Sequence, residues 1–89
     1  MNLFMVHVGF YDKTIGEGIY ESHINFFVIA SNPKEAKEKT LKIKEFEEKK
    51  MHIDGIKEIS SVDGYKIILK KDSSSENGEV LTYEDSKHL

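Results

Sequence analysis

The chain has 89 residues, 33% of them charged, and a formal net charge of −3. A chain of this length makes one domain that buries only about 60% of its unfolded surface and is marginal without help. It contains no cysteine, which excludes disulfide staples and cysteine-based zinc knuckles. Arginine is absent too, and Lys and Glu alternate instead of forming a basic face, which argues against nucleic acid as a partner. Pairing of two copies along a sheet edge or apolar face is the remaining route to extra stability. No apolar run approaches the roughly 18 residues of a membrane helix. The start, MNLFMVHVGFYD, lacks a basic segment and a small-residue cleavage site, so it reads as a strand and not a signal peptide. A soluble, cytoplasmic protein with no membrane partner is the expectation.

The first predicted element runs from Leu3 to Tyr11. Phe4, Val6, Val8 and Phe10 share one face, and Leu3, Met5, His7, Gly9 and Tyr11 share the other. Both faces are largely apolar, which suits a central strand. Gly9 marks either a bulge, a close backbone approach or a plain weak spot. Lys13 to Ser22 carries Gly16 and Gly18 and reads as a loop or wide hairpin connection. A phosphate loop would have to open a helix, but a strand follows, and Glu17 would repel the anion. The second strand spans His23 to Ala30. Ile24, Phe26, Val28 and Ala30 line one face; His23, Asn25, Phe27 and Ile29 line the other.

Asn32-Pro33-Lys34-Glu35 is a helix start, with Asn32 as cap, Pro33 in the first helical position and Glu35 at capping-box spacing. The helix is expected to run from Pro33 to about Lys49 or Lys50. Ala36, Thr40, Ile43 and Phe46 make one thin stripe that packs on a sheet. Met51 to Lys71 then holds a strand, a tight turn at Asp63-Gly64 and a second strand. A two-residue loop pairs Val62 with Tyr65. A three-residue bulged loop pairs Ser61 with Tyr65 and gathers Ile59, Tyr65, Ile67 and Leu69 on one face, and it is the preferred register. Residues 72–89 are rich in Ser, Asn, Gly and acidic side chains. They are expected to form a weakly ordered tail, with a short edge strand as the alternative. The predicted order is β-β-α-β-β over residues 1–71. That is an α+β domain with a four-stranded, largely antiparallel sheet and one helix packed on one face.

The segments LFMVHVGF, MHIDGIKEI and SSVDGYKIIL resemble a small bacterial family of unknown function, DUF1543. The likeness rests on a His-x-Asp at the third strand (here His52 and Asp54) followed by V-D-G-Y (here Val62 to Tyr65). It covers about Leu3 to Lys71. The resemblance implies the architecture and a bacterial source; it carries no activity.

His52 and Asp54 fall on the same face of a strand. His7 and His23 join them if their strands lie beside it with the same face presented, and three such groups suffice for a divalent metal. The plainer reading, in which His52 and Asp54 bond backbone at the helix-to-strand junction, is preferred. Asp63 and Gly64 are turn residues. Tyr65 is a core or interface aromatic and a candidate ligand contact. No Ser or Cys stands in a recognisable nucleophile setting, so an enzyme is not favoured and no cofactor is expected. Two readings remain. The preferred one is an interaction or regulatory module that self-associates as a homodimer through the sheet face opposite the helix, where Met5, Phe27 and Ile29 would be uncovered. The alternative is a small-molecule or divalent-metal-binding domain that uses His52, Asp54 and His7.

Overall fold

The computed structural model describes residues 1–73 and 78–89. The Ser-rich loop read from the sequence falls in part on residues 74–77, outside the described residues. The first strand, β1, spans Asn2–Tyr11, and a short 3-10 turn at Gly16–Gly18 leads to β2, Glu21–Ala30. Two helices follow, α1 (Pro33–Leu41) and α2 (Lys44–Glu48), then β3, His52–Glu58. Three short elements close the chain: β4 (Ser61–Val62), β5 (Tyr65–Lys66) and α3 (Tyr83–Lys87). Among the described residues, no helix is long and apolar enough to cross a membrane.

β1, β2 and β3 form an antiparallel sheet in the order β2-β1-β3. The doubly apolar strand is therefore the central one, as its pattern requires. Its inward residues Phe4, Val6, Val8 and Phe10 are buried with Ala30, Ala36, Phe46 and Met51. Ile24, Phe26, Val28, Ile43, Ile53 and Ile56 pack around them. One face of the sheet is covered by α1 and α2, and the other is open.

α1 starts as its sequence dictates. The Glu35 amide donates to Asn32 Oδ1 at 2.8 Å, and Pro33 occupies the first turn. The Glu35 carboxylate accepts from Ser31 Oγ at 2.6 Å, so only one half of the capping box forms. The single long helix expected to Lys49 or Lys50 is instead broken. Lys42 caps α1, and Ile43 is extended at φ −69, ψ 129. Ala36 and Thr40 of α1 and Phe46 of α2 are all buried on the covered face of the sheet despite the break. α2 ends at a left-handed residue, Lys50 (φ 49). The Met51 amide donates to the Phe46 carbonyl and the Lys50 amide to that of Glu47, at 3.1 and 3.2 Å. This is the Schellman pattern, with Lys where Gly is usual.

Two further expectations are corrected. The sheet has three strands, not four, because β4 and β5 pair only with each other as a separate ribbon. The Ile59 amide still bonds to the Leu3 carbonyl at 2.8 Å, and beyond it the chain leaves the sheet. All four ribbon residues are exposed, so no apolar side chain ties the ribbon to the core. The turn is the two-residue kind, pairing Val62 with Tyr65 and Ser61 with Lys66. Asp63 (φ 53) and Gly64 (φ 79) are both left-handed, the type I′ geometry that matches strand twist. The bulged loop would gather apolar side chains on one face, but Tyr65 is 74% exposed and the ribbon has no core to serve. Near the C terminus, Thr82 to Lys87 forms a capped helical turn and not an edge strand. Thr82 accepts from the Asp85 amide, and Asp85 accepts in return from that of Thr82.

Candidate metal centre

The open face of the sheet changes character along its length. Leu3, Met5, Phe27 and Ile29 lie at one end, His7 and Asn25 midway, and Gly9, His23 and His52 at the other, in the pairings Leu3–Ile29, Met5–Phe27, His7–Asn25 and Gly9–His23. β3 pairs His52 with Gly9 and Gly55 with His7, with a register shift that leaves Asp54 as the extra residue of a bulge. The bulge lets Ile53 and Ile56, three apart, both pack on the core while His52 and Asp54 stay on the open face.

Gly9 lies between the two flanking strands. Neighbouring strands are about 4.8 Å apart, so residues of β2 and β3 that flank Gly9 start about 10 Å from each other. Their side chains converge by leaning across the space that a side chain at position 9 would fill. A Cβ built on Gly9 would collide with Glu21 Oε1 and come within 2.7 Å of His52 Nε2 and 2.9 Å of Asp54 Oδ2. The absent side chain is what gives these groups room.

The groups that meet there are imidazoles and carboxylates. His52 Nε2 lies 2.9 Å from Glu21 Oε1 and 3.2 Å from Asp54 Oδ1. His23 Nε2 lies 3.1 Å from Glu21 Oε1 and 3.1 Å from Asp54 Oδ2. Each nitrogen therefore faces two carboxylate oxygens. An Nε2 carries at most one proton and can point it at only one of them. The cluster holds more acceptor oxygens than it has protons to share, an arrangement a cation relieves. All four side chains are between about a third and a half exposed, from 32% for Glu21 to 48% for His52, so solvent reaches the cluster.

His7 sits at the edge of this group. Its Nδ1–H donates to Asn25 Oδ1 at 2.7 Å, and its ring stacks on that of His23, with centroids 5.0 Å apart and planes 5° from parallel. Two triads have ligand atoms gathered within 4.8 Å: Glu21, His52 and Asp54, and His7, His23 and Asp54.

Of the residues that the sequence singles out, His52 and Asp54 meet directly, and His7 reaches the same cluster through His23. Tyr65 does not, since it stands on the β4–β5 ribbon, outside the sheet that carries the cluster. Asp63 and Gly64 form the ribbon's turn. The sequence reading missed Glu21. It belongs to a stretch read as loop, whereas β2 begins at Glu21 and the alternation Glu21, His23, Asn25 extends the open face by one more polar position. A cavity of about 700 Å³ lined by Met1, Ile29 and Leu69 to Asp72 lies at the Ile29 end of the face, away from the cluster.

A family model described as Domain of Unknown Function (DUF1543) matches residues 19–69. The matched segment includes Glu21, His23, His52 and Asp54 and leaves out His7 and Gly9. Neither the curated proteins nor the solved structures include a match to the chain.

Proposed function

This chain belongs to the DUF1543 family, and we propose that it is a divalent-metal-binding domain whose ion sits over Gly9, held by Glu21, His52 and Asp54. One observation carries the reading. Of the two triads whose ligand atoms gather within 4.8 Å, Glu21, His52 and Asp54 are the same three side chains that a Cβ at position 9 would displace. Ligand atoms bound at about 2.1 Å to a common ion stand roughly 3–3.5 Å from one another. The separations of 2.9 and 3.2 Å around His52 Nε2 are close to that range. One imidazole with two carboxylates and no thiolate suits Zn²⁺ or a neighbouring first-row ion better than Mg²⁺ or Ca²⁺, which prefer oxygen alone. Three protein ligands leave a further position open to solvent. The role is binding; no catalytic group is assigned.

The test is a competition titration of chelated protein with Zn²⁺ against a chromophoric chelator. Loss of an outer-shell partner already weakens metal sites by about 10–100-fold, so His52→Ala and Glu21→Gln should each cost at least that much, with the far-UV CD spectrum unchanged. A wild-type affinity equal to that of both variants would overturn the proposal.

Self-association through the same face is a second reading, favoured by Phe27. That ring is 62% exposed beside Met5 and half-covered Ile29, an apolar end suited to a second copy of the chain. The two readings use opposite ends of the face and are compatible.

A further inference from the structure

We propose that the cluster is a dinuclear centre, in which Asp54 bridges two divalent ions; the inference rests on the metal-binding reading above and extends it. Two triads share Asp54: Glu21–His52–Asp54 and His7–His23–Asp54. The carboxylate divides its oxygens between them. Oδ1 is 3.2 Å from His52 Nε2, while Oδ2 is 3.1 Å from His23 Nε2. A carboxylate that presents one oxygen to each of two imidazoles has the geometry of a bridging ligand, and paired ions in such sites stand about 3.5–4 Å apart.

His7 supplies an independent indication. An amide oxygen only accepts, so the 2.7 Å bond to Asn25 Oδ1 fixes the His7 proton on Nδ1. In the neutral ring Nε2 then keeps its lone pair. A ring nitrogen donating to a carbonyl while the other nitrogen ligates is the usual outer-shell arrangement of metal-bound histidine. Asn25 is a positioning residue, acting through His7. The two ions bring four positive charges against two from Glu21 and Asp54, and the solvent-open side leaves room for water or hydroxide to take up the difference.

The test uses the full chain. Chelated protein is loaded with Zn²⁺, freed of excess by gel filtration and assayed for metal per chain; a parallel sample carries Mn²⁺ for electron paramagnetic resonance. Two zinc ions per chain are expected in the wild type and one in His7→Ala and in His23→Ala, with far-UV CD unchanged in both. The Mn²⁺ spectrum should show exchange coupling in the wild type that His7→Ala abolishes. Asn25→Ala should keep both ions but weaken the second by about 10–100-fold. One zinc per chain in the wild type overturns the dinuclear centre and leaves the single-ion reading standing, whereas none overturns both. Two zinc ions retained in His7→Ala, with coupling intact, would overturn the assignment of the second locus.

Discussion

Gly9 is buried toward the C-terminal end of the central strand, and no turn or bend of its own explains it. Its cause lies above it, where three polar side chains occupy the volume of a missing methyl. Gly9→Ala should therefore leave the sheet intact, because the collisions are with side-chain tips that can swing outward into solvent. Zinc affinity should fall by about 10–100-fold, the range for disturbing a site's supporting shell, with unchanged far-UV CD; the competition titration reads both. A second residue-scale prediction concerns Glu35. The Ser31 hydroxyl bond holds its carboxyl below the ordinary value of 4.5, opposed by partial burial and aided by Lys39. A depressed folded-state value stabilises above 4.5 and fades as pH falls through the lower folded value. The melting temperatures of wild type and Ser31→Ala should accordingly differ above pH 4.5 and converge as pH falls through the lowered folded value. At this scale His52-x-Asp54 was legible because strand alternation fixes a shared face without further knowledge. Glu21 was not, since its membership depended on where β2 begins, and the Gly-rich stretch before it masks that boundary.

Among the elements, the break between α1 and α2 decides how the core is filled. Phe46 is 7% exposed and packs with Val6, Val8, Phe10 and Met51. Phe46→Ala should cost about 3–5 kcal/mol, a large share of the roughly 5–15 kcal/mol available to a whole domain. Urea denaturation is expected to find the variant partly or fully unfolded. Lys50 gives the opposite sign. A side chain in left-handed geometry costs about 1–2 kcal/mol, and glycine's extra unfolded-state freedom returns part of that. Lys50→Gly should gain about 0.5–1 kcal/mol, raising the melting midpoint by several degrees at roughly 4–8 °C per kcal/mol. The stripe Ala36, Thr40, Ile43 and Phe46 was readable as the packing face, but the helix break was not. The residues at the break, Leu41-Lys42-Ile43, include no proline or glycine to mark it. The final hairpin misled for a related reason: its Asp-Gly turn is local and was found, whereas its departure from the sheet after Ile59 depends on tertiary packing.

At the scale of the molecule, one helical layer covers one face of a three-stranded sheet and leaves the other to carry both the polar cluster and the exposed apolar end. The α+β class, the central first strand and the covered face followed from hydrophobic periodicity. The number of strands in the sheet did not, because pairing between distant segments leaves no mark in the alternation of either. If a second copy covers the apolar end, sedimentation equilibrium should find a dimer that Phe27→Lys shifts to monomer, and zinc affinity should survive because the cluster lies at the other end. A monomer at all concentrations in the wild type would remove the self-association reading. Metal binding should also stabilise so small a domain measurably. An ion at a hundred times its dissociation constant adds about 2.7 kcal/mol.

The most direct measurement is of the imidazole nitrogens themselves. Chelated, ¹⁵N-labelled protein is titrated with Zn²⁺ while the histidine side-chain nitrogens are followed by long-range ¹H–¹⁵N correlation. His52 Nε2 is expected to move to a metal-bound position with the first equivalent while its Nδ1 remains protonated, and His88, near the C terminus, to be unaffected. If His52 is unmoved, or moves no more than His88, no ion is held over Gly9.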